Sequence, residues 1–291
     1  MKRPALAPFV ACCLLFAAAH TAAAKDNWVS LRSRNFYLVG NAPEKDVRRV
    51  ATRLEQFRDV FTRLFAQVNF NSPVPTTVVV FKSDGSYKPF KPVVDGKVSE
   101  VAGYFQPGEA VNYITLTTEA RGENPFATIY HEYVHLLVEN SYGGRNVPPW
   151  FNEGLAEYYS TFNVDEDRKV TLGGIIENHI FLLRRQQMIP FKTFFEIDSY
   201  SLHRNGREAR GIFYAQAWAL MHYLVIGNKG QRAPQMGRFF EMVTRGTPVE
   251  RAFAEAFQTD FAGMEKELKK YVEANTFVTR VVTFDHAASV V

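Results

Sequence analysis

Cysteine is nearly absent from this chain: its two copies, Cys12 and Cys13, sit side by side near the start. The remainder can build neither a disulfide framework nor a thiolate metal site. Long apolar runs are missing after residue 24, so nothing downstream reads as a membrane-spanning helix. A charge excess of one sign is missing too. The formal net charge is +4, falling to +2 once Lys2 and Arg3 are set aside. So small a basic excess leaves no footprint for nucleic acid and suits an ordinary solvated surface. Outside the leading segment there is no internal repeat and no low-complexity tract.

The leading segment itself is patterned. Lys2 and Arg3 precede an apolar run from Ala5 to Ala19, interrupted by Pro8, and Ala22-Ala23-Ala24 offers a small-residue cleavage site. Residues 1–24 therefore read as an export signal, and the mature chain, 25–291, as a periplasmic or extracellular protein with no membrane span. An uncleaved anchor is the alternative, but the run is short for a span. A lipid-anchored Cys12 is disfavoured because the apolar run continues past it.

What the chain does have is Tyr130-His131-Glu132-Tyr133-Val134-His135-Leu136, an HExxH pattern. Two histidines four residues apart share one face of a helix and can bind one metal ion, with the intervening glutamate in reach of water activated there. The surrounding period, Phe126, Ile129, Tyr133 and Leu137, predicts a helix over about 125–139, with Pro125 in its first turn and Asn140 to Gly144 as its stop. A second helix opens at Pro148-Pro149-Trp150-Phe151-Asn152-Glu153-Gly154-Leu155-Ala156-Glu157. Seventeen residues separate His135 from Glu153, enough for a turn and an antiparallel return. Two imidazoles and a carboxylate, with a fourth position open, form the ligand set of a catalytic zinc site.

HExxH followed by Trp-Phe-Asn-Glu-Gly-Leu-Ala resembles the gluzincin metallopeptidases, and most nearly the small exported bacterial peptidase MA-like proteins. That resemblance implies one zinc ion held by His131, His135 and Glu153, with Glu132 as general base. It also implies that Glu157, one turn after Glu153, orients the first histidine. The gap between His135 and Glu153 is slightly shorter than in the best-known members, which bears on the connecting loop. Phe213-Tyr214-Ala215-Gln216-Ala217-Trp218 resembles the stretch where a tyrosine or histidine faces the zinc, making Tyr214 a candidate oxyanion donor. A buried packing tyrosine is the competing reading.

The remaining pattern predicts an α+β fold: a mixed sheet ending in the metal helix (25–144), a mostly helical part (145–275) and a tail (276–291), which the resemblance implies are arranged as a two-lobed, zincin-like fold. Asn27 to Gly40 alternates as one strand, about 43–68 reads as a long helix, and Thr76 to Lys82 as a central buried strand. Ser83 to Glu100 reads as irregular. Val101–Phe105 and Val111–Leu116 follow as strands. The resemblance implies a sheet edge that holds peptide by strand addition, either Gly103 to Phe105 or Asn112 to Thr115; a plain hairpin is the alternative. Asn163 to Lys169 and Ser199 to Glu208 read as loops, with helices near 175–187, 209–227, 231–244, 249–257 and 260–274. Phe191 to Phe195 reads as an aromatic packing segment. Phe277 to Phe284 is strand-like without an assignable place. His179, His203, His222 and His286 lack ligand spacing and read as structural.

The function expected from this reading is zinc-dependent hydrolysis of peptide bonds in a peptide or protein substrate. The resemblance implies internal cleavage rather than aminopeptidase action, because the Gly-x-Met-Glu-Asn stretch that captures a free amine in the aminopeptidase branch of that family has no counterpart before His131. A binding or assembly protein that keeps the fold, and a zinc hydrolase of another bond, are the alternatives.

Overall fold

Residues Val29–Arg32 (β1) and Phe36–Gly40 (β2) pair antiparallel, so the expected first strand is a hairpin. Ser33 turns the chain there, its amide donating to the carbonyl of Phe36. The computed structural model describes residues 26–65, 74–94, 96–99, 101–119, 126–142, 147–165, 169–204 and 207–283. The proposed signal, Pro125, Gly143, Gly144, His286 and the end of the expected 43–68 helix lie outside these, as does the side chain of His203.

Helix α1, Glu44–Leu64, follows Pro43 and places Glu44 and Asp46 in its first turn, where they complement the helix dipole. Its buried positions Val47, Val50, Leu54, Phe57 and Phe61 recur at three- and four-residue steps, which is why it lies across the sheet. β3, Thr76–Phe81, is the central strand. It runs parallel to β2, and β2's Gly40 allows the close approach, since a Cβ there would lie 2.1 Å from the carbonyl oxygen of Val80.

The region expected to be irregular is more ordered. It holds a short helix α2, Asp84–Tyr87, a 3-10 turn at Lys88–Phe90, and a small hairpin of β4, Val93–Val94, and β5, Lys97–Val98. β6, Gly103–Gln106, and β7, Asn112–Thr117, complete a five-stranded mixed sheet in the order β1-β2-β3-β7-β6. β7 is paired on both sides, so the 112–115 segment cannot receive an added strand. Among the described residues β6 is one edge of the sheet, opposite β1, and it packs beside the next helix.

Helix α3, Ala127–Tyr142, carries the HExxH residues. Tyr130 stacks on Phe57 with ring centroids 4.6 Å apart, and Arg58 donates to the Tyr133 hydroxyl at 3.0 Å. These contacts turn Tyr130, Tyr133, Val134 and Leu137 into the core and leave His131, Glu132 and His135 on the opposite flank.

The rest is mostly helical. α4, Pro149–Ser160, is followed by β8, Asn163–Asp165, and β9, Lys169–Leu172, which take the two ends of the expected polar loop, while its residues 166–168 lie outside the described residues. α5 is Glu177–Arg185 and α6 is Phe191–Glu196. α7, Ser199–Arg204, occupies the other expected loop. α8, Arg207–Val225, is buried along most of its length. α9, Ala233–Thr244, α10, Val249–Phe257, and α11, Phe261–Ala274, follow. The strand-like tail finds its place as β10, Arg280–Thr283, antiparallel to β9. The architecture is α+β, as expected, and one hydrophobic core runs through both parts. No described helix is long and apolar enough to cross a membrane.

Candidate metal centre

Trp150 and Phe151 anchor α4. Trp150 packs edge-on against Phe195 at 5.3 Å and Phe151 stacks on Phe240 at 4.1 Å, which holds the following residues toward α3. Burying two large aromatics at the helix start fixes its rotation. Gly154 then lets α4 lie against α8: a Cβ there would meet the Ala217 carbonyl oxygen at 2.7 Å. Glu153 and Glu157, one turn apart, consequently sit between α3 and α8.

Three atoms converge there. The Nε2 atoms of His131 and His135 are 3.1 Å apart, and Glu153 Oε2 lies 3.3 Å from the first and 3.5 Å from the second. His135 Nδ1 donates to the amide oxygen of Asn152 at 3.0 Å, and His131 Nδ1 faces Glu157 Oε1 at 3.5 Å. With both Nδ1 protons directed outward, both Nε2 lone pairs point at one spot. Glu153 Oε2 is buried there, beside both imidazoles and the Tyr214 hydroxyl. Two imidazole lone pairs and a carboxylate aimed at one spot suit a cation.

His131, His135 and Glu153 could hold a metal ion. The separations of 3.1 to 3.5 Å agree with the edges of about 3.3 to 3.4 Å set by four ligands about 2.0–2.1 Å from a tetrahedral ion. Without metal, a proton fills the role. Burial opposes charge on His131, but the close carboxylates of Glu153, Glu157 and Glu132 outweigh it and lift its pKa to about 9. Burial likewise works against the Glu153 carboxylate, yet His131 and His135 hold its pKa down to about 2. Glu157 is also held below the usual carboxylate range: burial opposes this, and His179 and His131 prevail.

Glu132 is half-buried, and that burial raises its pKa despite the neighbouring imidazoles. Tyr214 lies with its ring 6.3 Å from that of His131 and tilted by 28°. Its pKa is raised by burial and by the carboxylates of Glu153, Glu157 and Glu132, so its hydroxyl keeps its proton. All six residues singled out in the sequence thus gather at one place.

Two others were not singled out for a role there. Asn152 fixes His135, and its position beside Glu153 on α4 was the available signal. His179, read as structural, brings Nε2 within 3.1 Å of Glu157 Oε2. Its signal was burial on one stripe of α5 with Ile180 and Leu183. His222 is a satisfied core histidine, as expected, bonded to the Tyr271 hydroxyl at 2.8 Å and the Gly173 carbonyl at 2.9 Å. Burial lowers its pKa to about 4, so it stays neutral.

A family model described as "Protein of unknown function (DUF1570)" matches residues 125–250, a span that contains His131, Glu132, His135, Asn152, Glu153, Glu157, His179 and Tyr214. No curated protein matches the chain.

Proposed function

We propose that this chain is an exported zinc-dependent metallopeptidase of the gluzincin kind, cleaving within peptide or protein chains. The observation that carries the reading is the convergence of His131 Nε2, His135 Nε2 and Glu153 Oε2 beside a half-buried Glu132. The donor set supports zinc: two neutral imidazoles and one carboxylate leave a position for substrate or water, as catalytic zinc sites do. Zinc, when bound, lowers the pKa of water and polarises the scissile carbonyl.

The remaining steps belong to the chain's own residues. Glu132, half-buried beside the three ligands, takes the proton of the attacking water and delivers it to the leaving amine. Tyr214, its ring 6.3 Å from that of His131, donates its hydroxyl hydrogen to the oxyanion that develops on the substrate carbonyl oxygen. Glu157 and Asn152 keep the two imidazoles aimed. β6, an edge of the sheet among the described residues and beside α3, offers backbone groups to an extended substrate.

Digestion of a mixed peptide library by the purified protein, with bound metal measured on the same sample and Glu132→Ala beside it, tests this. The expected result is cleavage by the wild type alone, with about one zinc per chain in both. Equal cleavage by Glu132→Ala would overturn the mechanism, and zinc without cleavage by the wild type would remove the peptidase assignment.

A further inference from the structure

Glu157 has a histidine on each side. Oε1 faces His131 Nδ1 at 3.5 Å, and Oε2 faces His179 Nε2 at 3.1 Å. The two contacts use different oxygens, so one carboxylate bridges α3 and α5 from its seat on α4. All three side chains are largely enclosed: 14% of His131, 16% of Glu157 and 10% of His179 is exposed.

His179 is held in place from behind. Its ring lies 5.8 Å from that of Trp218 on α8, and α5 buries it with Ile180 and Leu183. Both ring nitrogens are buried, and apart from Glu157 they have no partner among the described residues. A buried imidazole with one polar neighbour is expensive unless that neighbour is used.

We propose that His179 is a positioning residue for the metal centre, acting through Glu157. A carboxylate with a single partner can rotate about its last torsion and turn its oxygen away from His131. With Oε2 held by His179 Nε2–H, Oε1 stays directed at His131 Nδ1. His131 is thereby kept in the tautomer that leaves the Nε2 lone pair facing His135 Nε2 and Glu153 Oε2. The inference rests on reading His131, His135 and Glu153 as a zinc site. It adds a residue that carries none of the ligand spacing.

The alternative is that His179 only fills space between α5 and α8. A double-mutant cycle separates the two, because a residue acting through Glu157 has little left to act on once that carboxylate is gone. Zinc affinity is measured by competition with a chelating dye at fixed pH for wild type, His179→Leu, His179→Met, His179→Gln, Glu157→Gln and the His179→Leu/Glu157→Gln double variant. Thermal melts of each variant are run alongside. Loss of the donor in His179→Leu or His179→Met is expected to weaken zinc binding by about tenfold, the low end for an outer partner of a metal ligand. His179→Gln, whose amide can still donate to Oε2, should recover most of it. In the Glu157→Gln background His179→Leu should change affinity by less than about twofold. Met, flexible and of similar reach, replaces Leu if the Leu variant does not fold.

Wild-type affinity in the folded Leu or Met variant overturns the inference while leaving the zinc site standing. So does an equal loss in both backgrounds, which makes His179 a packing residue. Failure of the wild type to bind zinc overturns the site reading and this inference with it.

Discussion

Gly154 stands against the carbonyl of Ala217 so closely that a single added carbon would lie 2.7 Å from that oxygen. This contact sets the spacing of α4 and α8, and therefore the distance from Glu153 and Glu157 to Tyr214. Gly154→Ala gains about 1 kcal/mol of helix propensity. Against this stands an overpacking cost of typically 1–3 kcal/mol, since the obstacle is backbone and not a side chain that can swing away. A lower Tm is expected, together with weaker metal binding, because Glu153 moves with its helix. Unchanged melting and affinity would mean that the two helices separate freely.

Removal of the groups behind the ligands separates aiming from binding. His135→Ala deletes a ligand and should abolish metal binding. Asn152→Ala and Glu157→Gln each leave three ligands in place, and should weaken zinc affinity by about 10- to 100-fold while leaving the fold intact. Metal titrations with melting curves on the same samples check this. A Glu157→Gln protein that binds zinc as tightly as wild type would show that the 3.5 Å contact to His131 Nδ1 does no orienting.

Tyr214→Phe tests the proposed oxyanion donor without changing ring packing. It should retain metal, and its kcat should fall by about 10²- to 10³-fold, with KM little altered, because the lost hydrogen bond forms only as charge develops. A variant with full kcat would return Tyr214 to the packing role that the sequence equally allowed.

The legibility of this molecule follows from the range of its signals. His131 and His135 are four residues apart, so helix periodicity alone puts them on one face. Glu153 is nonlocal, but it sits in an Asn-Glu pair behind two aromatics whose packing fixes the helix rotation. His179 had no comparable cue. It reaches Glu157 only because α5 folds back along α8, and a lone histidine among apolar neighbours reads as core. Strands were harder where they were short. β8 has three residues and one buried position, Val164, so its polar flanks looked like a loop. β1 and β2 merged in the sequence because Ser33-Arg34-Asn35 contains neither glycine nor proline. The buried Glu55 explains the turn: it accepts from the Ser33 hydroxyl at 2.6 Å and from the Asn35 backbone at 2.7 Å.

The pH dependence follows from competition between a proton and the metal for His131. In metal-free protein the pKa of His131 is raised from 6.5 to about 9, and that of Glu153 is lowered from 4.5 to about 2. A raised histidine contributes stability that is complete below its unfolded pKa of 6.5 and is lost as pH climbs through 9. A depressed carboxylate contributes stability present above 4.5 and lost as pH falls through 2. The metal-free protein should therefore hold both contributions between about pH 4.5 and 6.5 and lose the His131 share toward pH 9. Metal replaces that proton, so at pH 7 binding should release about one proton per ion. Apparent affinity should rise by about tenfold per pH unit until His131 deprotonates on its own. Calorimetric titration in buffers of different ionisation enthalpy reads the proton count directly. A count near zero at pH 7 would mean that His131 is neutral before the metal arrives.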